Sequence, residues 1–362
     1  MNKINCTQFS SIIIMLILSS FLGVGIFSLI KASGIDAYLS IILGGIIGSI
    51  FIYLFITIFN YEPSLTLKDK INKLFGKKIG FILNFILFII IFSMGTSSIF
   101  NLTIFISSQF LPETPLLLIA LVFSFLVIFI NTKGIDVISK TSFILVIINL
   151  IFYLFAFIGL IPSFDISNIK PFLEHGLNRP LKGAIFVIGF NIIPIFLLLM
   201  IPKNIIVDKK KINKHIIIAY LLGIILMTSV LFLTLGVLGI YLSSIYQYPE
   251  YIVLKNINIF NFIDRIENII TSQWIFSLFI NLTMIIYFLS NSIKTNNKSK
   301  IIPTFLCLSI LFISKKIFSN NTQFNNYTYK YSLINDIIIL LILIIIFIKI
   351  KKLYFKTGLS NK

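Results

Sequence analysis

Two short runs of glycine, asparagine and proline stand inside otherwise apolar stretches. Gly23-Val24-Gly25 interrupts 11–31, and Gly189-Phe190-Asn191-Ile192-Ile193-Pro194 interrupts 182–202. Glycine lowers the cost of leaving helical geometry, and proline removes a donor and clashes one turn back. Asn191 can bond to backbone groups that such a break frees. A half-helix N-terminus offers N–H groups and a positive dipole end to a carboxylate. A half-helix C-terminus offers carbonyls to an ammonium group or a cation. Both together suit a zwitterion such as an amino acid, with no buried charged side chain. Each run alone also has a plainer reading: small residues let membrane helices pack closely, and proline can simply kink a helix. Their matching positions favour the chemical reading, since many transporters bind substrate where two helices are interrupted at corresponding places in two halves.

The elements that must position these runs follow from composition. Of 362 residues, 58% are hydrophobic and 12% charged, with a net charge of +18. Soluble domains are about 25% charged, and a soluble fold of this size cannot hide so much apolar surface. The composition excludes an ordinary soluble enzyme and a disordered chain. A membrane crossing needs about 20 apolar residues. Ten stretches qualify: 11–31, 37–59, 79–108, 115–131, 138–161, 182–202, 215–242, 265–291, 300–318 and 332–350. The first follows Lys3 but is too long for a signal peptide and has no small-residue cleavage pattern. With the N-terminus inside, 21 of the 30 Lys and Arg fall on cytoplasmic segments. This is the positive-inside pattern for both termini cytoplasmic, so the basic charge orients the chain rather than binding nucleic acid. The reading is an all-α, multi-pass integral membrane protein, one transmembrane domain over 1–362 with no soluble domain. Spans one and six lead two five-helix halves, about 8–161 and 182–350. An odd span count per half makes them an inverted repeat with both leading helices broken.

Other polar residues near mid-membrane extend the candidate site. Ser97 and Asn101 in span three are four apart and share a face, with Ser93 one turn before. Asn281 and Thr283 lie in span eight. These can wall a cavity or merely join helices, at about 0.6 kcal/mol per bond. Asn149 and Tyr153 in span five read as packing. The candidate substrate-binding set is thus Gly23, Val24, Gly25, Ser97, Asn101, Gly189, Phe190, Asn191, Pro194, Asn281 and Thr283. Arg265 and Glu267, at the outer start of span eight, form a candidate ion-pair latch. Asp336, near the start of span ten, can pair with a lysine of the preceding loop or serve a proton pathway, and the former reading is favoured. The Asn- and Tyr-rich stretch 319–331 reads as an exposed outer loop. Paired carboxylates, an intramembrane histidine and a phosphate loop are lacking, so no catalytic residue, metal ligand or cofactor is expected. A coupling ion, H⁺ or Na⁺, stays open. Two cysteines, Cys6 and Cys307, support neither a disulfide framework nor a zinc cluster.

Ordered short motifs carry a family resemblance. They are Ile4-Asn5-Cys6-Thr7-Gln8, Gly23-Val24-Gly25-Ile26, Pro63-Ser64-Leu65-Thr66-Leu67, Leu74-Phe75-Gly76-Lys77, Leu160-Ile161-Pro162, Ile169-Lys170-Pro171-Phe172, Tyr248-Pro249, and Arg265-Ile266-Glu267 followed by Trp274. In order and spacing the chain resembles the B-subunit permeases of bacterial endospore germinant receptors. Phe27-Ser28-Leu29 replaces the family's proline after the first-span glycines, and the match fades beyond about residue 295. The resemblance implies a ten-helix member of the amino acid–polyamine–organocation superfamily with a LeuT-like inverted repeat. It implies residence in the spore inner membrane beside A and C subunits, and a small germinant, commonly an amino acid. Such a germinant would sit at the breaks of spans one and six and against spans three and eight. The rival reading is an amino acid permease coupled to protons or sodium.

Overall fold

The computed structural model describes residues 3–21, 25–174, 176–257, 266–293 and 300–357. Of the residues singled out above, Gly23, Val24 and Arg265 lie outside them. The described residues are nearly all helical, as a chain of this apolarity must be in lipid, where each backbone group needs an internal partner. In chain order the α-helices are α1 (Cys6–Ser19), α2 (Ile26–Ser33), α3 (Ala37–Asn60), α4 (Leu67–Gln109), α5 (Leu116–Lys133), α6 (Ile135–Leu160), α7 (Asn178–Val187), α8 (Ile212–Ile245), α9 (Pro249–Ile252), α10 (Ile266–Ser292), α11 (Ile301–Ile317), α12 (Asn321–Tyr327) and α13 (Leu333–Thr357).

Eight helical stretches among the described residues are long and apolar enough to cross a membrane. Two of the ten stretches expected from sequence differ, for local reasons. The first is divided: α1 has 14 residues, about 21 Å at 1.5 Å per residue. The ninth, α11, has 17 residues and carries Lys315 and Lys316 in its last turn. The α4 helix begins before the bilayer-length part. Gly76, at φ 78°, separates residues 67–75 from the long span that follows.

Burial ranks the spans by depth in the bundle. The most apolar window of Asn178–Met200 is 89% buried, and that of Glu267–Ser292 is 72% buried. The corresponding windows in α5 and α6 are each 28% buried, so those helices turn most of their surface outward. The sixth span and α10 therefore form the centre, with α1 packed on α6, α8 and α10. Asn149 of α6 donates to Gln273 O and Ser277 Oγ of α10, both at 3.2 Å, which fixes two elements of opposite halves.

One end of the bundle is tied shut. Ile4 N donates to Ile205 O, and Val207 N donates to Ile4 O, both at 3.0 Å. Together they make a parallel bridge between Ile4 and Ile206. Ser10 Oγ adds a bond to His215 O at 3.2 Å. Lys203 Nζ reaches Asn60 Oδ1 at 2.6 Å. Buried Lys70 donates to Ile58 O and Phe59 O at 2.8 and 3.2 Å, satisfying carbonyls at the end of α3.

Candidate functional site

The described parts of the two interrupted spans differ. Around residues 20–25, Phe21 and Gly25 adopt π-helical hydrogen bonding on either side of 22–24. A Cβ at Gly25 would stand 2.4 Å from Ser20 O, so the local backbone approach requires glycine. In the sixth span the chain does not unwind. It changes pitch, from α7 to a π-turn at Ile188–Ile192 and then a 3₁₀ stretch at Ile193–Met200. Pro194 stands in the first turn of the tighter stretch, where its missing N–H matters least. Single π-turns inside helices cluster at functional sites.

Carbonyls near the end of α1 are taken by protein donors. Asn191 Nδ2 donates to Ile17 O at 2.7 Å. Trp274 Nε1 donates to Ser19 O at 3.2 Å. Asn191 thus braces α1 through its amide nitrogen, while its buried Oδ1 has no partner among the described residues, and the lone tryptophan is a structural clamp.

A cavity of about 90 Å³ lies beside these breaks, enough for a few waters or a small ligand. Ser20 lines it from the first break. Ser93, Met94, Ser97, Ser98 and Asn101 line it from α4, and Gly189, Phe190 and Pro194 from the sixth span. Leu278 and Asn281 face it from α10. The structure thus brings Ser97, Asn101, Gly189, Phe190, Pro194 and Asn281 together. Gly25 and Thr283 are not on its wall. Thr283 Oγ1 instead donates to Phe279 O within α10, at 2.7 Å. Glu267 opens α10 half-buried. The latch itself lies outside the described residues because Arg265 does.

The largest departure concerns the end of the chain. The stretch 319–331, read as an exposed loop, folds into α12 and a π-turn that runs into α13. Asn320 Oδ1 accepts Gln323 N at 2.9 Å and caps the helix. Phe324 is buried between Phe100 and Phe318, with ring centroids at 5.0 and 5.2 Å. Tyr327 Oη lies 2.7 Å from Ser93 Oγ. Phe324, Tyr327, Thr328, Ser332, Asn335 and Asp336 complete the cavity. Their helical spacing is the signal that could have found them, since 324, 328, 332 and 336 repeat every four residues.

Asp336 is also corrected. It forms no ion pair with a lysine of the preceding loop among the described residues. The carboxylate is 5% exposed, and its Oδ2 has no hydrogen-bond partner. A Cβ on Gly189 would lie 2.6 Å from that Oδ2. The glycine of the sixth span therefore makes room for the carboxylate of α13. No cluster of three metal-ligating side chains occurs among the described residues.

Comparison with known proteins settles the kinship. The family model described as spore germination protein, a permease family, matches residues 3–327, well past residue 295. This chain belongs to that family. It is 26% identical over 292 residues to spore germination protein XB of Bacillus anthracis, covering 79% of this chain and 80% of that one. It is 25% identical over 302 residues to spore germination protein A2 of Bacillus subtilis, covering 81% and 80%. Spore germination protein GerQB of Bacillus cereus is 28% identical over 318 residues, covering 84% and 85%. Among solved structures, a manganese transporter of Eremococcus coleocola superposes with a TM-score of 0.61 at 14% identity, covering 95% of this chain and 78% of that one. The spore germination permease therefore has the fold of that transporter, the LeuT-like fold, and is a multi-pass membrane protein.

Proposed function

We propose that this chain is the B subunit of a spore germinant receptor. It binds a small amino acid-like germinant in the cavity between α4, the sixth span, α10 and α13, and it signals to A and C subunits. The observation that carries the reading is this cavity, edged by serine, asparagine and aspartate side chains and walled by both halves of a transporter fold, in a member of the spore germination family. A ligand that binds one conformation better than another shifts the population toward it. Two elements suit such a shift: the π-turn at Ile188–Ile192 and the tied end at Ile4 and Ile206. The setting is the spore inner membrane with both termini cytoplasmic, in keeping with the lysine distribution. The role is recognition rather than catalysis.

The alternative is an amino acid permease driven by protons or sodium, which the transporter fold favours. Two measurements separate the readings. Spores carrying the chain with its partner subunits should germinate on one or more of the twenty standard amino acids. Spores lacking the chain should not, and an unchanged response would overturn the receptor reading. Uptake of a labelled amino acid by vesicles containing the chain alone would establish the permease instead.

A further inference from the structure

The three buried acceptors on the cavity wall have no protein partner. They are Asn101 Oδ1 on α4, Asn281 Oδ1 on α10 and Asp336 Oδ2 on α13. The residues are 7%, 1% and 5% exposed, so water cannot satisfy them from bulk. Burying acceptors without donors is costly, and burying a carboxylate without a counter-charge is more so. None of the described residues lining the cavity is cationic. A positive group rich in N–H donors would satisfy all three acceptors at once.

We propose that Asp336 is the ammonium-recognition residue of the cavity, and that Asn101 and Asn281 accept the remaining N–H groups of a primary ammonium. Three donors on the ammonium match three open acceptors. At the end of α1, Ile17 O and Ser19 O already accept from Asn191 and Trp274. Gly189 keeps the carboxylate at the sixth-span π-turn, where any larger residue would displace it. The aromatic ring of Phe190, on the same wall, suits a cation. Recognition then rests on a side-chain carboxylate more than on helix dipoles, and a ligand without a carboxylate, such as a simple alkylammonium, still binds. The inference rests on the reading of this cavity as the ligand site.

The test uses the purified full chain in lipid nanodiscs and follows thermal unfolding. The probes are ethylammonium chloride, sodium propionate, sodium chloride and the twenty amino acids at equal ionic strength. Ethylammonium should stabilise the wild type, and propionate and sodium chloride should not. Asp336→Asn should need at least about ten-fold more ethylammonium for the same shift, since charge-assisted bonds are the strong ones. Without amine this variant should keep or raise the midpoint, because it removes an uncompensated buried charge. A merely structural aspartate would lower it. Asn281→Ala should weaken the amine effect several-fold and guards against misfolding of the first variant. Equal stabilisation of wild type and Asp336→Asn by ethylammonium, a shift caused by sodium chloride, or no shift with any amine overturns the proposal. Stabilisation by propionate but not ethylammonium also overturns it, yet leaves the cavity a ligand site. Stabilisation by ethylammonium through Asp336, with none by any amino acid, keeps the proposal and sinks the amino acid germinant.

Discussion

The two interrupted spans share a sequence signature but differ in what fills the space beside their glycines. At Gly25 the neighbour is backbone, Ser20 O, and nearby carbonyls are closed by Asn191 and Trp274. At Gly189 the neighbour is the tip of a side chain, the Asp336 carboxylate, on an open cavity. The end of α1 that leads to the first glycine run is braced by donors from the sixth span and α10. The sixth-span π-turn instead borders a cavity with unmet buried acceptors. Glycine in a membrane helix thus has two meanings, and the atom that a Cβ would meet distinguishes them.

Substitution of each glycine gives the largest expected effects and separates the two roles. Gly25→Leu should cost about 3 kcal/mol or more in stability, since backbone cannot yield as a side chain can. Its readout is loss of folded protein and a lowered unfolding midpoint. Gly189→Leu should leave the fold largely intact, because the side chain in the way can turn aside. Germinant binding should fall by about a hundred-fold or more, the scale of losing a buried charge partner. If Gly25→Leu folded normally and lost only binding, the contrast would collapse. Next in size is Asn191→Ala. It leaves Ile17 O without its donor and should cost about 1–3 kcal/mol of stability. Its binding defect should be small beside that of Gly189→Leu. The smallest effect belongs to Ser97→Ala, a wall residue with no charge. It should weaken binding by less than about three-fold, in line with the modest worth of polar contacts within membranes.

Much of this was readable in the residues. Apolar stretches near bilayer length gave the spans, and polar residues are scarce enough at mid-span that Ser97, Asn101, Gly189, Phe190, Pro194 and Asn281 stood out. The structure gathers those six on one cavity. The misplaced residues share a physical cause. Thr283 lies two positions beyond Asn281, which turns a side chain about 200° around a regular helix, and Asn191 lies two beyond Gly189 within the π-turn, on another face. Nearness in sequence was not nearness on a face. Tyr327 through Asp336 were hidden by composition. Asn320, Asn321, Asn325 and Asn326 look like loop, and they mask the four-residue repeat of Phe324, Thr328, Ser332 and Asp336. The pairing partner assumed for Asp336 was a local lysine, whereas the carboxylate turns inward to a glycine on another helix.

Site-specific labelling tests most directly whether this cavity is where the germinant binds. Both native cysteines, Cys6 and Cys307, are buried, so a single cysteine at Ser97 can be followed without removing them. The quantity is the rate at which a small thiol reagent modifies Ser97→Cys in nanodiscs, with and without the amino acid that triggers germination. The account predicts that the ligand slows modification several-fold, and that Asp336→Asn in the same background abolishes this protection. A modification rate that saturating ligand leaves unchanged would contradict it.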